Sequence, residues 1–259
     1  MVPAQIVEAY GHAADVNDKP EYFRLHRYRF RALLAAIAQE PAHDVLEIGA
    51  TLGQFTAILV RAGYHVDAVD LFPEQRAELW QRLGVNVRYC NLDEQALPYD
   101  DASFDVVVFS EVIEHLNASP LGALREMARV LRPGGRLIIS TPNQHYLKSR
   151  MRTLADILLG RPFESFKEFQ RSMRLVGPQR YYNHSRLYTM AELCWLLEES
   201  GLQATQTRYV DAWERVGVEA RRLLRHPFRV AAKAALIGLG LCMPQARSML
   251  LAVGRKPGT

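Results

Sequence analysis

Acidic and imidazole side chains cluster in two short segments of the sequence. Glu111, Glu114 and His115 follow an apolar run at spacing i, i+3 and i+4, and His184 stands in a second segment, residues 182–189. On a helical turn this spacing puts the first three side chains on one face. Imidazole has the side-chain pKa nearest neutrality, so His115 is a candidate general base for an acceptor hydroxyl, with Glu111 beside it. Structural roles for all four side chains are an open alternative.

A glycine-containing loop supplies a second chemical signal. Residues 45–53 read VLEIGATLG, and Gly49 and Gly53 let the backbone approach a ligand closely where a strand passes into a helix. Asp70 ends the next apolar run, about twenty residues on, where a carboxylate accepts hydrogen bonds from both hydroxyls of a ribose. Taken alone, these features also describe a weak dinucleotide site.

The elements that position these residues alternate between strands and helices. The apolar patterns predict strands at 44–49, 64–70, 85–90, 104–110 and 136–141, and helices at 20–40, 53–62, 73–83 and 119–131. Farther on, Thr189 is predicted to cap a helix that ends at Ser200, and strands are expected at 202–210 and 248–253. This alternation is typical of an α/β fold with a parallel sheet and helices on both faces.

Five motifs in a fixed order make the prediction of the ligand site more specific. The segments LEIG…G, VDAVD, LD…LP, SFDVVV and RVLRPGG occur at residues 46–53, 66–70, 92–98, 103–108 and 129–135. This set resembles the class I S-adenosylmethionine-dependent methyltransferases, particularly the branch of ubiquinone-pathway O-methyltransferases, over about residues 40–210. The resemblance implies a Rossmann-like, doubly wound, mostly parallel seven-stranded sheet with an N-terminal helix and two basic insertions.

The resemblance also assigns the cofactor S-adenosylmethionine to particular residues. It implies that Glu47, Gly49 and Gly53 line the methionine part. Asp70 would hold the ribose hydroxyls and Asp93 the adenine amino group. Ser110 would lie beside the methyl donor, and Ala50 and Leu71 complete the predicted set. Thr51 stands where the family usually has glycine, which makes this loop stiffer than usual.

A second resemblance concerns a metal. An ExxEH segment followed by a distant histidine before a helix is similar to the small-RNA 2′-O-methyltransferases. On that resemblance Glu111, Glu114, His115 and His184 would hold a divalent ion. Two carboxylates and two imidazoles suit Mn²⁺, Fe²⁺ or Zn²⁺, and Mg²⁺ if waters complete its shell. The competing interpretation is a metal-free reaction with His115 as the base.

Length and composition predict one soluble globular domain. The 259 residues suit one α/β domain with insertions. Its expected parts are a helical cap at 1–40, a cofactor-binding core at 41–145, an acceptor-side insertion at 146–185, a core helix and strand at 186–211, a basic apolar insertion at 212–245 and a last strand and tail at 246–259. Three scattered cysteines favour neither disulfides nor a cysteine zinc site, and no apolar run approaches the ~18 residues of a membrane span. A cytoplasmic location is therefore expected.

Basic residues are concentrated in the second half of the chain. Residues 147–259 carry 19 Lys+Arg against 9 Asp+Glu, so this half favours phosphate-bearing partners. Within it, residues 221–243 place Arg221, Arg222, Arg225 and Arg229 next to an apolar run, which suggests peripheral contact with an anionic membrane. A lid or an oligomer contact is the alternative, and the oligomeric state is open. The aromatic residues of the first insertion, Phe163, Phe166, Phe169, Tyr181 and Tyr182, are expected to roof the acceptor pocket.

These features together predict methylation of a hydroxyl on a small-molecule, glycan, quinone or lipid-linked acceptor. An RNA methyltransferase is one alternative, although no separate RNA-binding module is present and nucleic acid is disfavoured as a partner. The other alternative is a non-catalytic module that only binds S-adenosylmethionine.

Overall fold

The computed structural model describes residues 2–13, 18–161, 170, 173–174, 181, 183–216 and 227–258. The strands are β1 Asp44–Ile48, β2 His65–Asp70, β3 Asn86–Tyr89, β4 Phe104–Ser110, β5 Leu131–Pro142, β6 Gln203–Val210 and β7 Met249–Arg255. The helices are α1 Pro3–Gly11, α2 Pro20–Ile37, α3 Gln54–Arg61, α4 Ala77–Leu83, α5 Pro120–Val130, α6 Leu147–Leu158, α7 Met190–Glu199 and α8 Pro227–Cys242. No helix among the described residues is both long enough and apolar enough to traverse a lipid bilayer.

The seven strands form one sheet in the order β3-β2-β1-β4-β5-β7-β6. Neighbouring strands from β3 to β5 are parallel, and β7 runs antiparallel to both β5 and β6. The predicted Rossmann-like, mostly parallel sheet is thereby confirmed, with β7 as its one reversed member among the described strands. Because β1 lies between β2 and β4, the strand order reverses at β1, and open α/β sheets bind ligands in the crevice at such a point.

Alternate residues of the strands build two cores, one on each face of the sheet. On one face, Leu46, Val107 and Ile139 pack with the apolar sides of α5 and α7. On the other, Val45 and Val108 pack with α1, α2 and α3. Buried side chains of this size contribute about 1.5–3 kcal/mol each relative to exposure, so both helix layers are held by burial.

Local signals set the ends of several elements. Pro20 and Pro120 occupy the first helical positions of α2 and α5, where a missing N–H does no harm. Thr189 caps α7 as predicted: its hydroxyl accepts the Glu192 N–H, and the Glu192 carboxylate accepts the Thr189 N–H.

Two predicted boundaries need correction. The helix expected over 73–83 begins as a 3₁₀ turn, Pro73–Arg76, and becomes α-helical only at Ala77. The strand expected at 136–141 starts at Leu131, because Leu131 already pairs with Phe104 before the chain bulges outward and pairing resumes between Val106 and Arg136. The left-handed Gly134 (φ 78°) lies in this bulge.

An ionic cluster lies at the amino ends of β1 and β4, at the edge of the sheet opposite the ligand crevice. The Arg132 guanidinium donates to the carboxylates of Asp44 (2.8 Å) and Asp105 (2.6 Å). Asp105 also accepts the backbone N–H groups of His43 and Asp44. Two residues of the recognisable motifs, Asp105 and Arg132, therefore tie strands together on the side opposite the ligand crevice.

Candidate active site

A cavity of about 460 Å³ opens at the carboxyl edge of the sheet. Its floor is made by residues that end or follow β1, β2, β3, β4 and β5. The lining residues from these strand ends and loops include Gly49, Asp70, Leu71, Asn91, Glu111, Glu114, His115 and Pro142. The predicted cofactor loop and the predicted chemical segment therefore lie in a single cavity, with His184 also in its wall.

The two glycines of the first loop have different surroundings. Both adopt left-handed conformations, φ 78° at Gly49 and φ 75° at Gly53. Gly49 lines the cavity. A Cβ on Gly53 would lie 2.4 Å from Leu79 and 2.7 Å from Trp80. Gly53 thus allows α3 to pack closely on α4, and it lines neither this cavity nor the small one beside it.

Asp70 shapes the wall on the β2 side. Its carboxylate accepts the backbone N–H of Thr51 (2.7 Å) and that of Phe72 (2.8 Å). It therefore fixes the loops after β1 and β2 while facing the cavity. Thr51 has φ 46°, a left-handed conformation that is uncommon for a β-branched residue, and its hydroxyl donates to the Gly49 carbonyl.

A smaller cavity of about 60 Å³ adjoins the first. Glu47, Ala50 and Ser110 line it together with Arg29 and Gln54. Burial raises the pKa of Glu47 to about 8, although the Thr56 hydroxyl that donates to its carboxylate (2.6 Å) acts in the opposite direction. Burial therefore favours the neutral form of this carboxyl group.

Asp93 lies outside both cavities. Its carboxylate accepts the backbone N–H groups of Asn117 (2.9 Å) and Ala118 (3.2 Å), so it holds the chain after the ExxEH segment. Its predicted contact with adenine stays a prediction. Between these positions, Asn91 and Leu92 line the cavity where Asp93 does not.

The expected helical turn across Glu111, Glu114 and His115 is wrong. Only Ile113–His115 forms a 3₁₀ turn. Glu111 has φ 56°, and its N–H donates to the Ser140 carbonyl of β5, so it still follows the sheet. The backbone therefore changes direction between Glu111 and Glu114, and the spacing does not place them on one helical face.

Glu114, His115 and His184 come together. One ligand atom from each lies within 4.8 Å of the others, and the imidazole centroids are 4.8 Å apart. Glu114 is 1% exposed; its Oε2 accepts the Thr141 hydroxyl, and its Oε1 has no hydrogen-bond partner among the described residues. An orphaned buried carboxylate oxygen beside two imidazoles has the chemistry of a divalent-metal donor set.

The segment that brings His184 is docked on the 3₁₀ turn. The Ser185 N–H donates to the Glu114 carbonyl (2.6 Å), and the Asn183 carbonyl lies 3.0 Å from His115 Nδ1. The carbonyl can only accept, so Nδ1 carries the proton and Nε2 keeps its lone pair. Burial lowers the pKa of both His115 and His184, which favours neutral imidazoles.

Glu111 belongs to a different group. Its Oε2 lies 3.5 Å from an Arg29 nitrogen, and its Oε1 accepts the Ser140 hydroxyl. Burial raises the pKa of Glu111, against the opposing effect of Arg29. Among the described residues the structure brings Glu114, His115 and His184 together, whereas Glu111, the fourth ligand that the resemblance implies, lies with Arg29 and Ser140.

Helix α2 contributes a roof that sequence reasoning missed. Tyr22, His26 and Arg29 line the cavity from one side, and Trp213 and Tyr181 line it from farther along the chain. The i, i+4, i+7 spacing of the α2 residues was the available signal. Tyr181 was among the expected roof residues; Phe163, Phe166, Phe169 and Tyr182 lie outside the described residues.

Arg29 is the buried cation of this roof. It is 7% exposed, and its guanidinium donates to the Tyr22 hydroxyl (3.3 Å). It lines both cavities, and Glu111 faces it. A buried positive charge at the junction of the two cavities favours a negative ligand group there.

Comparisons with known proteins agree with this geometry. A family profile described as "Methyltransferase domain" matches residues 22–207. The Ubiquinone biosynthesis O-methyltransferase of Aeromonas salmonicida is 30% identical over 164 residues, which are 61% of this chain and 62% of that protein. The Demethylmenaquinone methyltransferase of Clavibacter sepedonicus is 36% identical over 117 residues, 43% of this chain and 47% of that protein. The chain therefore spans about half to three-fifths of the length of these relatives.

A solved structure shows the same fold. Phosphoethanolamine N-methyltransferase 2 of Haemonchus contortus, in complex with S-adenosyl-L-methionine, superposes with a TM-score of 0.58 at 19% identity. The match covers 88% of this chain and 52% of the Haemonchus chain.

Proposed function

The chain belongs to the class I S-adenosylmethionine-dependent methyltransferases, and from this we propose that it transfers the methyl group to a hydroxyl oxygen of a small-molecule acceptor. The observation that carries the proposal is the shared cavity, because Gly49 and Asp70 line it together with Glu114, His115 and His184. The Aeromonas relative is named as an O-methyltransferase of ubiquinone biosynthesis, which supports oxygen as the acceptor atom.

The lining of the two cavities supports a position for the cofactor. We assign the ribose hydroxyls to Asp70, with Gly49 and Leu71 against the nucleoside, and the methionine end to the small cavity of Glu47, Ala50 and Ser110. The buried Arg29 guanidinium in both cavities would complement the carboxylate of the methionine end. Gly53 then supports the loop by allowing close packing rather than by touching the cofactor.

The reaction itself needs few groups. The acceptor oxygen attacks the methyl carbon, the carbon–sulfur bond breaks with its electron pair going to sulfur, and S-adenosylhomocysteine leaves. The sulfonium is already activated, so the protein has to align the acceptor, exclude water and receive the hydroxyl proton. In the absence of a bound metal, the Nε2 lone pair of His115 would be oriented for that task by the Asn183 carbonyl at Nδ1.

We further propose that Glu114, His115 and His184 hold a divalent metal ion. The orphaned Oε1 of Glu114 and two imidazoles kept neutral by burial fit such an ion. Bound there, it would lower the pKa of an acceptor hydroxyl. Glu111 is not a ligand in this proposal, because its carboxylate is directed to Arg29 and Ser140; it positions Arg29 instead.

One experiment tests both methyl transfer and the class of the acceptor. Protein is incubated with methyl-labelled S-adenosylmethionine and fractionated cell extract, and label is expected in a small-molecule fraction. Label in RNA alone would replace the acceptor class, and the absence of transfer despite cofactor binding would favour a binding module.

The metal is tested with the same acceptor fraction. Verified metal-free protein and His184→Ala are both expected to lose at least about tenfold in rate, and Mn²⁺ should restore only the former. Surface histidine His43→Ala is the matched control and should keep the wild-type rate, since it lies at the opposite edge of the sheet. Full activity of both metal-free protein and His184→Ala would leave His115 as a metal-free base.

A further inference from the structure

Helix α6 has its apolar residues on the outside. Met151, Leu154, Ile157 and Leu158 are 58%, 56%, 57% and 76% exposed, and Leu159, which follows the helix, is 60% exposed. No residue of α6 is buried. A helix at the surface of a globular protein normally turns its apolar side to the core, so this orientation calls for a partner.

The half-buried side of α6 is polar. Thr153 and Asp156 are its less exposed residues near the middle of the helix, and the Asp156 side chain is only 13% exposed. With about 3.6 residues per turn, these two lie opposite Leu154 and Leu158. The more exposed side of the helix therefore carries large apolar side chains, and its less exposed side carries Thr153 and Asp156.

Cations border the apolar row. Lys148 and Arg152 follow one side of it and Arg150 the other, and Arg161 lies just beyond the helix. Asp156 is the one carboxylate between residues 144 and 161, and it lies 3.7 Å from Arg152. Apolar side chains flanked by Lys and Arg complement an anionic lipid surface, where the chains enter the headgroup boundary and the cations meet phosphates.

The position of α6 links it to the cavity. Pro142 ends β5 and lines the cavity, and α6 begins five residues later at Leu147. The buried Asn143 amide donates to the carbonyls of Gln245 and Arg247, which follow α8. Three more exposed apolar residues, Leu239, Leu241 and Met243, stand at that end of α8.

We propose that α6, assisted by the carboxyl-terminal end of α8, binds the surface of an anionic membrane at the edge of the fold where the cavity opens. A helix of 12 residues bordered by cations lies along a lipid surface rather than across it. The sequence had suggested lipid contact through 221–243; residues 221–226, with Arg221, Arg222 and Arg225, lie outside the described residues, and α8 accounts for most of the remainder. Lipid binding does not depend on methyl transfer, because it needs neither cofactor nor acceptor.

The test is co-sedimentation of the full chain with vesicles. Vesicles of phosphatidylglycerol and phosphatidylcholine should bind the protein, and vesicles of phosphatidylcholine alone should bind it weakly. L154S/L158S is expected to weaken binding by at least about tenfold, because two apolar side chains no longer enter the headgroup boundary. K148Q/R152Q should weaken it about tenfold or more, with less effect in high salt.

Matched controls change equally exposed residues elsewhere. Trp195→Ser on α7 removes an apolar side chain that is 54% exposed, and Arg125→Gln on α5 removes an exposed cation. Both should bind vesicles like the wild type, and circular dichroism should show all variants folded. The proposal is overturned if the wild type does not bind anionic vesicles at low salt, or if the α6 variants bind them as strongly as the wild type. It is also overturned if sedimentation velocity shows a dimer that L154S/L158S dissociates, because a second copy then covers this face.

Discussion

Replacing Asp70 with alanine should separate cofactor binding from folding. In the structure the Asp70 carboxylate accepts the N–H groups of Thr51 and Phe72 and faces the main cavity. The substitution therefore removes two restraints on the loops after β1 and β2, and in our proposal it also removes both hydrogen bonds to the ribose of the cofactor.

The two losses differ in size. A hydrogen bond to a charged group contributes about 1.5–3 kcal/mol, so losing two to the ribose should weaken binding by about 3–6 kcal/mol, or two to four orders of magnitude. The loop N–H of Thr51 belongs to an exposed residue, and water can replace its partner. We therefore expect the free energy of unfolding to fall by only about 1 kcal/mol.

Titration calorimetry with S-adenosylhomocysteine measures the first quantity, and urea unfolding of the free protein measures the second. Asp67→Ala is the control, because Asp67 lies on the same strand but outside the cavity lining. If Asp70→Ala binds S-adenosylhomocysteine as tightly as the wild type and Asp67→Ala does, the placement of the ribose is wrong. Binding of NADH without S-adenosylhomocysteine would refute the cofactor assignment itself.

Three further predictions concern stability, each measured by urea unfolding. Gly53→Ala should lower the free energy of unfolding by about 2–5 kcal/mol, because the new Cβ would overlap Trp80. Gly84 is equally left-handed but open to solvent, so Gly84→Ala should lower it by only about 1–2 kcal/mol. Equal losses would contradict the packing role of Gly53. Burial raises the pKa of Glu47 in the folded protein to about 8, above its unfolded value, so the free energy of unfolding should fall by up to about 4 kcal/mol as pH rises from about 4.5 to 8. Glu47→Gln should flatten this dependence, and a pH profile parallel to that of the wild type would contradict the assignment. Burial opposes the charge on Asp44, but its arginine and histidine partners lower its pKa to about 2. Asp44→Asn should therefore lower the free energy of unfolding by about 1 kcal/mol at pH 7, and by progressively less as pH falls from about 4 through 2. A loss that does not depend on pH would exclude this ionic contribution.

Much of the fold could be predicted because its signals are local. Apolar periodicity located the strands to within a few residues, and Thr189 with Glu192 marked the start of α7. Gly49 and Asp70 could be placed at one ligand crevice from their positions at strand ends, since parallel strands bring their carboxyl ends to the same edge.

The separation of Glu111 from Glu114, His115 and His184 could not be predicted, because Glu111 and Arg29 are 82 residues apart in the chain and only the packing of α2 brings them together. Spacing alone suggested a helical face, while the pairing of Glu111 with β5 and its left-handed backbone turned it away from Glu114. No local pattern records which distant charge a carboxylate will meet.

The sequence likewise does not decide which side of helix α6 is exposed. Its sequence contains an apolar side and a polar side, and periodicity is identical whichever of them packs on the protein. In the structure the side chains of Leu154 and Leu158 are exposed, whereas the side chain of Asp156 is largely covered. The sequence determined the elements and the chemistry available at the strand ends, because those depend on near neighbours; the tertiary structure decided which charges pair and which apolar face remains exposed, because those depend on contacts between distant parts of the chain.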